Sequence, residues 1–114
     1  MKQPFLRDNA ADSLVLVVED EEKSRRLMRD LLEAHSYRVA EAADGEEALR
    51  LIADTPPDLV LLDVMMPKLD GIAVCRRLQA DERTQPIPVL LVTALHDRAD
   101  RIRGIAAGAT DYIT

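Results

Sequence analysis

Three short, wholly apolar runs punctuate an otherwise charged chain: LVLVV at residues 14–18, LVLL at 59–62 and VLLV at 89–92. Unbroken apolar positions of this length suit strands covered on both faces, as in a parallel sheet flanked by helices. A buried helix gives a similar local signal, but these runs are too short for one. Between them the period changes to that of a helix. Over residues 22–35, Leu27, Met28, Leu31 and Leu32 recur at helical spacing, with Arg25, Arg26 and Arg29 on other faces. Residues 37–40 read as a short strand. Asp44 is placed to cap the next helix, with Glu47 as its capping-box partner and Ala48, Leu51 and Ile52 on one face. Pro56 and Pro57 end that unit.

The pattern then repeats. A loop over residues 64–69 closes at Asp70 and Gly71, and a helix follows with Val74, Cys75 and Leu78 as its inner stripe. Residues 81–88 form a polar loop. After the run at 89–92, a short charged helix is expected from about Asp97, with Ala99, Ile102, Ile105 and Ala106 facing in and Gly108 as its C-terminal stop. Asp111 to Ile113 begin a fifth strand. Residues 1–13 are polar and aperiodic apart from Pro4, Phe5 and Leu6, and read as a flexible leader. Alternating β and α elements imply an α/β domain over residues 14–114: a parallel sheet with right-handed crossovers and helices on both faces.

Composition narrows the class. The 114 residues suffice for one domain with a core, and 47% hydrophobic with 32% charged residues is ordinary globular usage. Aromatics are scarce, so Val, Leu, Ile and Ala must fill the interior. A net charge of -6 argues against nucleic acid as this domain's own partner, since phosphate binding needs a basic face. No apolar stretch is long enough to span a membrane, and no apolar run follows Lys2 to make a signal peptide. The single cysteine, Cys75, sits among helical apolar positions and cannot form an internal disulfide, which fits a reducing cytoplasm.

The candidate chemistry lies where the strands end. The first apolar run stops at Glu19, Asp20 and Glu21, the central one at Asp63, and the last at Thr93 and Ala94. In a parallel sheet these ends share one edge, the edge at which open α/β sheets bind ligands. One acid after a strand is ordinarily a turn residue or a helix cap, and Thr93 alone would read as a cap. Their coincidence on one edge is what points to function. Carboxylates gathered in one crevice repel each other unless a cation joins them. No Cys or His accompanies them, so zinc is disfavoured and all-oxygen ligation suits Mg²⁺. A carboxylate is also a nucleophile toward phosphorus, and a neighbouring metal would offset the incoming charge. The Thr93 hydroxyl could donate to a phosphoryl oxygen, and Ala94 leaves space beside it.

Together these residues resemble the receiver domain of two-component response regulators. VLVVEDE looks like the family's first strand and acidic pair, LLDVMMPKLDG like its phosphoacceptor strand and loop, VLLVTA like its switch-threonine strand, and GATDYIT like the approach to its fifth strand. The resemblance implies a flavodoxin-like, doubly wound five-stranded sheet of order 2-1-3-4-5. It implies Asp63 as phosphoacceptor and Asp20 as direct Mg²⁺ ligand. Glu19 would reach the metal through water, and the Met65 carbonyl would be a further ligand. Thr93 and Tyr112 would form the switch pair. It further implies a histidine kinase or phosphotransfer protein as donor and a C-terminal output domain as reader. The domain would accept and slowly lose its own phosphoryl group and would not be a multiple-turnover enzyme.

Two departures stand out. Glu19 occupies a position where Asp is commoner, and the extra methylene changes the room at the metal. The family continues past Thr114 with a lysine and a last helix, so that helix is expected to be missing from this chain. The strip it would cover favours a homodimer. Two rival readings are weaker. A degenerate receiver that only binds partners is disfavoured by the presence of Asp63, Asp20 and Thr93 together. A Mg²⁺-dependent phosphatase would need a second acid as general acid within the Asp63 loop, and DVMMP offers none. The wording of residues 93–114 is similar to receivers attached to diguanylate cyclases, but fold-level analogy does not fix an output.

Overall fold

The computed structural model describes residues 13–63, 71–92, 106, 108 and 111–113. The expected leader, the loop holding Met65, and the segment holding Thr93, Ala94 and most of the helix expected from Asp97 lie outside the described residues; of that helix's expected inward positions only Ala106 is described, and it is helical but exposed, not facing in.

The three apolar runs are strands: β1 (Leu14–Val18), β3 (Leu59–Asp63) and β4 (Val89–Val92). With β2 (Arg38–Ala42) and β5 (Asp111–Ile113) they form one parallel sheet of order β2-β1-β3-β4-β5. The expected strand order therefore holds. The second strand starts one residue later and runs two residues further than the expected 37–40. Its ladder continues to the acid edge, where the Glu19 amide donates to the Ala42 carbonyl at 3.1 Å.

Alternation along the strands sorts side chains onto two faces. On one, Leu16, Val18, Val60, Leu62, Val89 and Leu91 pack with α2 (Gly45–Asp54) and α3 (Gly71–Ala80). Ala48 and Ile52 of α2 and Val74, Cys75 and Leu78 of α3 are buried there, as their spacing predicts. Asp44 caps α2, its side chain accepting from the Glu47 amide at 2.8 Å. On the other face Val15, Val17, Leu59 and Leu90 form a smaller cluster, against which Met28 and Leu32 of α1 (Glu22–Ala34) pack.

The expected stripe of α1 is only half correct. Met28 and Leu32 face the sheet, but Leu27 is 61% and Leu31 57% exposed, and no residue of α1 is buried. Arg25 and Arg29 take the place of the two leucines beside the sheet. Residues 25, 28, 29 and 32 make a stripe at helical spacing, and Glu41 of β2 supplies the counter-charge that draws the arginines in.

Near the far end of the chain, Gly108 has φ +110°, the left-handed region that glycine tolerates and L side chains avoid. A Cβ there would also collide with the Gln79 side chain on α3. The expected glycine stop is thus required by both backbone and space.

Candidate functional site

Strand order and register build the site. Because β1, β3 and β4 are neighbours and Val18 pairs with Leu62, Glu19 leaves β1 alongside Asp63, the last residue of β3. Asp63 itself pairs with Val92, the last residue of β4. The apolar register that buries the strands therefore delivers the acids to one edge. Glu19, Asp20 and Asp63 each offer a carboxylate oxygen, all within 4.8 Å of one another, and they are the only such metal-competent group among the described residues. Glu19 and Asp63 are half-buried and Asp20 is exposed.

The crowding has an electrostatic consequence. Burial pushes the Glu19 carboxyl up to about 8, helped by its hydrogen bond with Asp63 and by the like charges of Asp63, Asp20 and Glu21. Near neutral pH Glu19 therefore holds a proton between two carboxylates. A divalent cation would serve the same purpose with more charge. The donor set, oxygen only, fits a hard cation such as Mg²⁺ or Mn²⁺ and disfavours zinc. An open pocket of about 190 Å³ runs from the acids under α1, lined by Val18, Glu19, Ser24, Met28, Asp63 and Val92. The acids thus stand at the rim of a partly apolar recess, where charge is less screened than in open water.

Of the residues read from sequence, Glu19, Asp20 and Asp63 are brought together. Met65, Thr93 and Ala94 lie outside the described residues. Tyr112 lies in β5 at the level of Leu91, and its side chain is not described. Sequence reading missed Arg25. Its guanidinium bonds the Glu19 carbonyl through Nη1 at 3.0 Å and Glu41 Oε1 through Nε at 3.2 Å. The only local signal was the arginine pair at i, i+4 in register with Met28 and Leu32.

Comparison with known proteins agrees with this geometry. The family model described as "Response regulator receiver domain" matches residues 15–114. The response regulator PleD of Caulobacter vibrioides is 50% identical over 100 residues, covering 88% of this chain and 22% of PleD. A putative response regulator from Chloroflexus aurantiacus superposes with a TM-score of 0.85 at 36% identity, covering 89% of this chain and 83% of that one. The Mn²⁺-bound form of response regulator Rcp1 superposes with a TM-score of 0.82 at 26% identity, covering 90% of this chain and 80% of the other. The chain spans between 22% and 43% of the length of the curated relatives it matches.

Proposed function

The chain belongs to the response regulator receiver domain family, and on that premise we propose that it accepts a phosphoryl group on Asp63 from a histidine kinase or phosphotransfer protein, in a Mg²⁺-dependent step. The observation that carries this reading is the meeting of the Glu19, Asp20 and Asp63 carboxylates within 4.8 Å at the carboxyl edge of the sheet. A carboxylate oxygen of Asp63 attacks phosphorus. The P–N bond to the donor imidazole breaks, and the imidazole leaves with the electron pair and takes up a proton. A bound Mg²⁺ would offset the charge gathered by the carboxylates and the incoming phosphoryl oxygens.

Asp20, exposed beside the half-buried pair, would be the direct ligand of a bound Mg²⁺, and Glu19 would act through water. The Met65 carbonyl would be a further ligand, as the family resemblance implies. Thr93 follows β4 directly, and β4 is laddered to β5 through Leu91 and Tyr112. A pull on Thr93 by the phosphoryl group is therefore passed to Tyr112 and read by an output domain. Each cycle consumes one donor phosphoryl group, so the domain is a switch and not a multiple-turnover enzyme. The metal part of the reading is supported by the all-oxygen donor set and by the Mn²⁺-bound relative.

The test is incubation with a small acyl phosphate and Mg²⁺, followed by intact-mass measurement. One added phosphoryl group is expected on the native chain and none on Asp63→Asn. Equal labelling of the two removes the assignment.

A further inference from the structure

The turn that presents Asp20 is not fixed by a side-chain cap. It lies between the end of β1 and the start of α1, and Glu21, at the N-cap of α1, makes no side-chain capping bond. Glu and Asp at such a turn would otherwise be free to swing toward solvent and away from each other, because their charges repel. The two flanking carbonyls are instead held from α1, one by its first backbone bond and the other by a side chain. The Arg25 amide donates to the Glu21 carbonyl at 3.0 Å, and Arg25 Nη1 donates to the Glu19 carbonyl at 3.0 Å. Asp20 is the residue between them. The remaining end of the clamp is the Glu19 amide, held by the Ala42 carbonyl at 3.1 Å.

The Arg25 side chain is itself fixed. Its Nε is bonded to Glu41 at 3.2 Å, with 17% of the arginine and 28% of the glutamate side chain exposed. Glu41 lies on the α1 side of β2, in phase with Val39. Its second oxygen is held by Arg29 Nη1 at 3.1 Å. The planar guanidinium, with donors in a rigid fork, suits such bridging, whereas an ammonium acts as a point charge. Spending Nε on Glu41 leaves Nη1 aimed at the acidic turn.

We infer that Arg25 is a positioning residue for the metal site: braced by Glu41, its guanidinium holds the Glu19 carbonyl so that the Glu19 and Asp20 carboxylates face Asp63 before a divalent cation arrives. Arg25 touches neither the cation nor the phosphoryl group. Its effect is on the cost of gathering the ligands, as for other groups that orient metal ligands from behind. The inference rests on the Mg²⁺ reading above, so the readout is metal binding and not phosphorylation.

Mg²⁺ titration calorimetry on the folded chain is paired with thermal unfolding for Arg25→Gln and Arg29→Gln. Arg29 shares Glu41 and also bonds Asp30 and Glu33, but it makes no bond to the acidic turn. Arg25→Gln is expected to weaken Mg²⁺ binding about 10-fold, the lower end for an outer partner of metal ligands. Arg29→Gln should stay within about 2-fold of native at a comparable loss of Tm, since it removes an ion pair without releasing the turn. Should Arg25→Gln not fold, Glu41→Thr, which keeps a strand-forming residue but unbraces Arg25, must weaken Mg²⁺ binding more than Arg29→Gln does. Equal Mg²⁺ affinity in the Arg25 and Arg29 variants, whether both lose it or neither does, overturns the inference. Absence of Mg²⁺ binding by the native chain would instead remove the metal reading, and this inference with it.

Discussion

Helices α1 and α2 flank the same strand β2 and are held there by opposite means. Helix α2 is capped by Asp44 and buries Ala48 and Ile52 in the larger core cluster. Helix α1 has no side-chain cap and no buried residue, and it leans on the sheet through half-buried Met28 and Leu32 and through Arg25 and Arg29 on Glu41. The first arrangement draws on apolar burial, which is large and without direction. The second draws on directed polar bonds, which add little stability but fix geometry. The helix next to the acids is thus the one whose place is set by orientation, and the helix remote from them supplies packing.

The sharpest way to break this contrast is to truncate one apolar side chain on each helix. Ile52→Ala opens a cavity in a filled core and is expected to cost about 2–5 kcal/mol. Leu31→Ala, on the exposed side of α1, should stay within about 0.5 kcal/mol of native. Urea unfolding of both variants measures this, and similar losses would show that α1 is packed as α2 is. A smaller effect separates the two N-termini. Asp44→Ala should cost about 1 kcal/mol by removing the bond to the Glu47 amide. Glu21→Ala, which has no such bond to lose, should change stability by only a few tenths of a kcal/mol in metal-free buffer.

The smallest effect concerns the acids beside α1. Glu19 is raised from 4.5 to about 8 in the folded chain, so between those values the folded state holds a proton that the unfolded state has released. Stability from this group is fully present below about 4.5 and is lost as pH rises through about 8. In chelator, Tm of the native chain should therefore fall from pH 5 to pH 8 more steeply than that of Glu19→Gln, which cannot ionise. Parallel slopes would mean that Glu19 does not share a proton with Asp63. The site is partly open, so solvent screening keeps the difference modest.

Much of this protein was determined by the sequence alone. The runs at 14–18, 59–62 and 89–92 mark three strands because an unbroken apolar stretch is a local property that needs a cover on both faces whatever the rest does. The acids that end the first two were legible for the same reason: a parallel sheet puts all such ends on one edge. Ala48, Ile52, Val74, Cys75 and Leu78 were legible as core from their spacing alone, and the Asp44 cap from a three-residue pattern. Other features are pairwise, and only the tertiary structure decided them. Four apolar residues and three arginines on α1 allow more than one inward face. The choice fell to Glu41, sixteen positions from Arg25 and on another strand. The same partner turns Arg25 toward the Glu19 carbonyl. The rise of the Glu19 pKa likewise comes first from burial at the sheet edge and then from Asp63 beside it, 44 positions along the chain, which the register Val18 to Leu62 puts there. Local periodicity places elements and strand ends, but the direction of a charged side chain depends on which opposite charge the fold brings within reach.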